Sequence, residues 1–91
     1  MPEAFQNMIN YVKAFPMAKE SMVLAKLIES LVDSTEFDLN EIGSLPNVKL
    51  KMMCSAVFNH CISEGLSEKQ RSTISKAIEQ YAALANKGTR H

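Results

Sequence analysis

Ninety-one residues, 46% of them apolar, suit one small globular domain over 1–91 and are too hydrophobic for a disordered chain. Ten basic and ten acidic side chains cancel, which removes the simplest electrostatic case for a nucleic-acid binder. Three glycines and three prolines are too few for a turn-rich β-sandwich or barrel, and no run of about 18 apolar residues is present to cross a membrane.

The first helix is expected over residues 3–15. Phe5, Met8, Ile9 and Val12 recur at the i, i+3, i+4, i+7 spacing of one helix face. Pro16 interrupts, and a residue before proline avoids the helical region, so Phe15 should be extended or kinked.

The second helix is expected from Met17 to Asp33. Met17, Leu24, Leu27, Ile28, Leu31 and Val32 make its apolar stripe, and Lys19, Lys26, Glu29 and Asp33 its polar side. Met22 falls among the polar residues. Residues 34–46 break the pattern. Asp38 is placed to cap a single turn through Ile42, stopped by Gly43. Phe37, Leu39, Ile42 and Leu45 should pin this connection onto the bundle.

The third helix is expected over residues 47–64. Leu50, Met53, Cys54, Val57, Phe58 and Cys61 form one face, while Val48, Met52 and Ala56 form a second. A helix apolar on two sides lies either at the centre of a bundle or between the bundle and a partner. Gly65 stops this helix. Ser67-Glu68-Lys69-Gln70 then has the S-x-x-Q form of a capping box and opens the fourth helix, residues 68–86. Ile74, Ala77, Ile78, Tyr81, Leu84 and Ala85 share a face there. Lys87 and Gly88 supply a stop, and Thr89-Arg90-His91 should fray. The expected fold is therefore all-α: a small four- to five-helix bundle with a helix-turn-helix-like hairpin at residues 47–86.

Chemistry is thinly represented. Cys54 and Cys61 on one helix lie about 10 Å apart at 1.5 Å rise per residue, beyond the ~7 Å limit for a disulfide. With His60 they offer only three soft ligands, and these do not converge as a zinc site requires. Adjacent helical residues point apart, so His60 is poorly placed to activate Cys61. No phosphate-binding glycine loop or hydrolase motif occurs. A helical bundle of this size leaves little room for a ~300 Å³ pocket. Enzymatic activity, a cofactor, a bound metal and a small-molecule substrate are not expected.

Two functional readings follow. The first is a non-enzymatic protein-interaction module, a small regulator or adaptor that acts as a homodimer or bound to a larger protein. Its contact residues would be Val48, Met52 and Ala56, with Met22 as a further candidate. The second is a DNA-binding regulator using residues 67–81, with Lys69, Arg71, Ser72, Thr73 and Lys76 outward. Charge distribution lends it some support. Residues 1–45 carry three basic against seven acidic side chains, and residues 46–91 carry seven against three. Against it, a plain αα-hairpin accounts for the same residues, and Ile74 comes late for a tight DNA-binding motif. The start of the chain lacks the basic residues and continuous apolar core of a secretion signal, and the expected location is the cytoplasm.

Overall fold

The computed structural model describes residues 1–88, with side chains through Ala83. It is all-helical. Five helices follow in chain order: α1 (Glu3–Ala14), α2 (Lys19–Asp33), α3 (Asn40–Gly43), α4 (Val48–Ser63) and α5 (Glu68–Gly88). The expected roles of Leu84, Ala85 and residues 89–91 lie outside what is described.

The stripes read from the sequence become the core. Phe5, Met8, Ile9 and Val12 of α1 are buried against Leu24, Leu27 and Ile28 of α2 and Ile74 and Ile78 of α5. Each such side chain contributes about 1.5–3 kcal/mol through removal from water. α5 packs chiefly on α2 and also on α1, whereas α4 packs on α1 and α3. The two helices of the 47–86 segment thus find their main partners elsewhere in the bundle. α4 reaches the interior through Leu50, Cys54 and Val57, while Met53, Phe58 and Cys61 are half-buried.

Helix ends carry the clearest local chemistry. The Asn47 side chain accepts from the Leu50 N–H at 2.9 Å and starts α4. At α5 the capping box is complete. The Gln70 N–H donates to Ser67 Oγ at 3.1 Å, and the Ser67 N–H donates to Gln70 Oε1 at 2.8 Å. Gly65 sits at φ 72°, in the left-handed region that ends helices. The end of α2 uses the same conformation without a glycine: Ser34 has φ 58°, and the N–H groups of Ser34 and Thr35 both donate to the Ser30 carbonyl.

Two expectations at the start of helices and loops are corrected. α2 begins at Lys19, two residues late, because the Phe15–Ala18 turn after Pro16 closes on itself through the Ala18 N–H and the Phe15 carbonyl. Met17 is consequently 74% exposed and does not join the core stripe. In the 34–46 connection Leu45 is buried, and Phe37 and Ile42 pack on the core. Leu39, however, is 64% exposed, since the Asp38 carboxylate accepts from the Asn40 N–H and turns Leu39 outward.

Ser67→Ala should lower stability by about 1 kcal/mol through loss of the cap. Gly65→Val should cost more, because a β-branched residue resists positive φ. Thermal melts followed by circular dichroism measure both. An unchanged midpoint for Ser67→Ala would mean that the box contributes nothing in solution.

Candidate functional site

The second apolar face of α4 is open. Val48 is 69% exposed and Met52 66%, and Ala56 is exposed beside them. Ile62 is the most exposed large apolar side chain, at 83%. At about 100° per residue, Met52, Ser55, Asn59 and Ile62 all fall within about 40° of the direction of Val48. The face is therefore a strip running the length of α4, apolar at both ends and small or polar in the middle. Sequence reading stopped at Ala56 and missed Ile62, although the same angular arithmetic reaches it.

Met22 lies elsewhere and is only half-buried. With Val23 it lines an open groove of about 590 Å³ between α2 and the α3–α4 connection, closed on the other side by Leu45 and Pro46. Lys19, Glu20, Lys26, Glu41 and Ser44 form its rim. A bundle of this size was expected to leave little room for a pocket, and the space found is an open surface groove. A one-turn α3 is too short to cover the outward side of α2. On that rim Lys26 pairs with Glu41 at 3.4 Å, and the Tyr11 hydroxyl donates to Glu20 at 3.2 Å. Burial and that carboxylate hold the Tyr11 phenol above its ordinary value, so it stays a donor.

The residues named for nucleic-acid contact separate into two groups. Lys69, Ser72, Thr73 and Lys76 are exposed and share one side of α5. Thr73 Oγ1 donates back to the Lys69 carbonyl at 3.0 Å. Arg71 is half-buried and turned the other way. Its guanidinium donates to the Val32 carbonyl at 2.6 Å, at the C-terminal end of α2 where a cation complements the helix dipole. Arg71 is thus committed to holding α5 on α2, not to an outward ligand.

Cys54 is buried and Cys61 half-buried, and both are free thiols. Burial pushes the Cys54 thiol up from its ordinary value. Burial also pushes the Cys61 thiol up, with the Arg71 charge opposing in part. His60 meets the Phe5 ring edge-on at 6.1 Å between centroids, and its Nδ1 lies 3.4 Å from Glu64. Its buried Nε2 has no hydrogen-bond partner. Among the described residues, no three His, Cys, Asp or Glu side chains gather as a metal-binding group. No described helix is long and apolar enough to cross a membrane.

The thiolate is the reactive form, so raised thiols react slowly. Near pH 8 both cysteines should alkylate more slowly than free cysteine, Cys61 before Cys54. Arg71→Met should slow Cys61 further, because the opposing cation is gone. Mass-resolved iodoacetamide labelling reads all three rates, and a Cys61 that labels faster than free cysteine would contradict the burial argument. The Cys54→Ala/Cys61→Ala double variant should remain folded but less stable, since the buried Cys54 thiol leaves a small cavity and the half-buried Cys61 loses part of its packing.

No known protein family, characterised protein or solved structure matches this chain. Its function is therefore read from geometry and side-chain chemistry.

Proposed function

We propose that this chain is a non-enzymatic protein-interaction module, a cytoplasmic regulator or adaptor that uses the outward face of α4 to bind a second copy of itself or a larger protein. The observation that carries the reading is the exposure of Val48, Met52 and Ile62 along one line of a single helix. Single exposed apolar residues are ordinary, but three large ones aligned on one side of a helix, with small or polar residues between, give a contact surface an apolar anchor at each end. Each Å² of it covered by a partner yields about 25 cal/mol. Ser55, Ala56 and Asn59 on or beside the strip carry no charge, and the exposed Lys51, about 60° from the direction of Val48, flanks it and can keep its ammonium in water at the rim of a contact. Two-fold pairing is the simplest closed arrangement for such a face.

Wild-type protein should sediment as a dimer at micromolar concentration. Met52→Asp should give a folded monomer, because an exposed substitution shifts stability by no more than about 0.5 kcal/mol. A wild-type monomer would direct the reading to a larger partner, captured from host lysate with Met52→Asp as the negative control. A Met52→Asp protein that still dimerises, or still captures the same partner, would exclude the α4 face.

A second reading, a DNA-binding regulator, is favoured by one observation: Lys69, Ser72, Thr73 and Lys76 lie together on the exposed side of α5. These residue types contact phosphates and base edges. The commitment of Arg71 to Val32 and the zero net charge weigh against it. Retention on heparin at low salt separates the two. The interaction module should flow through. Retention that is lost in a Lys69→Gln/Lys76→Gln variant would establish the DNA reading.

A further inference from the structure

The connection between α1 and α2 reads Lys13-Ala14-Phe15-Pro16-Met17-Ala18-Lys19, an uncharged apolar run with a lysine at each end. Phe15 is 53% exposed and Met17 74%. Lys13 and Lys19 are exposed beside them. The Phe15 ring lies against Tyr11 at 4.9 Å between centroids, so the turn is braced from α1. Its backbone demands little of solvent. The Phe15 N–H donates to the Tyr11 carbonyl, the Ala18 N–H donates to the Phe15 carbonyl at 3.2 Å, and Pro16 has no N–H to satisfy. This turn can therefore leave water with few unpaired backbone groups.

The start of α4 adds a further cation to the same end of the bundle. His60, late in α4, meets Phe5, early in α1. Pro46, just before α4, lines one groove with Lys19 at the start of α2. α4 therefore runs back along α1. An equal count of residues leads from Phe5 to Pro16 and from His60 back to Lys49, so the exposed Lys49 stands at about the level of the turn. Against these lysines stands the Glu20 carboxylate, which is half-buried and accepts from the Tyr11 hydroxyl at 3.2 Å. Glu41 lies further along α2, where it pairs with Lys26 at 3.4 Å. The turn keeps a basic surplus although residues 1–45 are acidic as a whole.

A protein partner would need a hollow shaped to receive a projecting turn. A bilayer needs none, because its interface closes around an apolar tip while flanking lysines hold their ammonium groups among the headgroups. We propose that this end of the bundle docks on an anionic lipid surface, with Phe15 and Met17 at the boundary of headgroups and acyl chains and Lys13, Lys19 and Lys49 on the anionic headgroups. The contact is peripheral and uses none of the apolar residues of the α4 strip.

The test is co-sedimentation of the full-length protein with vesicles of phosphatidylcholine and phosphatidylserine, beside vesicles of phosphatidylcholine alone. Binding should require phosphatidylserine and weaken as salt rises, since attraction to a charged surface is screened. Lys13→Gln and Lys19→Gln should each weaken it about fivefold. Met17→Asp should weaken it roughly tenfold or more, since it sets a carboxylate at the apolar boundary. Met17 is exposed, so the thermal midpoint of that variant should stay near wild type. Met52→Asp should still bind the vesicles, and Met17→Asp should still self-associate, so this proposal and the α4 reading fail separately. Absence of binding to phosphatidylserine vesicles would overturn the proposal. So would equal binding to both kinds of vesicle, or binding that Met17→Asp and the lysine variants leave intact. A vesicle-inert protein that loses a protein partner in Met17→Asp would assign the turn to protein instead.

Discussion

The burial of one side of α2 beneath α1 and α5 is the contact on which the rest of the molecule is arranged. Leu24, Ala25, Leu27 and Ile28 are wholly removed from water there, against Phe5, Met8 and Ile9 from one side and Ile74 and Ile78 from the other. With its inner side filled, α2 turns Lys19, Met22, Val23 and Lys26 toward the α3 connection. With α1 already shared between α2 and α5, α4 packs chiefly on the remaining flank of α1 and on the short α3. Three of its side chains reach the interior, Leu50, Cys54 and Val57. A helix held chiefly by those two neighbours leaves its far side uncovered, and in α4 that side is apolar at both ends.

The helix ends show how the packing is fixed in register. α2 and α4 both finish on a left-handed residue, Ser34 and Gly65. At the end of α4 the cost is avoided by glycine. At the end of α2 the serine carries a backbone strain on the order of 1 kcal/mol, and the same turn is held by Arg71 from α5. That one guanidinium joins the first turn of α5 to the last turn of α2, residues far apart in sequence. It also bears on the uneven charge of the two halves. The Lys26–Glu41 ion pair and the His60–Glu64 contact each join residues of the same half. Arg71, of the basic half, reaches the acidic half at the Val32 carbonyl.

The parts of this fold that were legible in the sequence are those set by local physics. Helical spacing of Phe5, Met8, Ile9 and Val12 identifies a buried stripe because no other regular structure brings those positions together. Ser67 and Gln70 identify a helix start because their side chains have free N–H groups within reach. The parts that were not legible depend on neighbours distant in sequence. Arg71 has the composition of a nucleic-acid contact, and only the position of the Val32 carbonyl reveals its use. Met22 reads as an isolated surface methionine until Leu45 and Pro46 are folded opposite it. Leu39 and Met17 are apolar residues next to turns, and the direction of a turn is decided by single hydrogen bonds. Of the candidate surface, Val48, Met52 and Ala56 were recognisable from the two-sided pattern of α4. Their exposure was not, because an uncovered face and a central core face have the same sequence.

Both open surfaces trace back to the brevity of α3. A four-residue turn spans the distance from α2 to α4 but has little surface of its own. It tucks Leu45 into the core and leaves Met22 and Val23 facing a cleft. Beyond Pro46 the chain enters α4 at once, with Asn47 as its cap, so the first outward residue of the new helix is Val48. A longer amphipathic helix in this position would bury both sets of residues and raise the stability of the isolated domain. A domain this small exposes about 40% of the surface available to its unfolded chain, so it has little stability to spare. Retaining an uncovered apolar strip on α4 under that constraint is more readily understood if it is covered by protein when the molecule works.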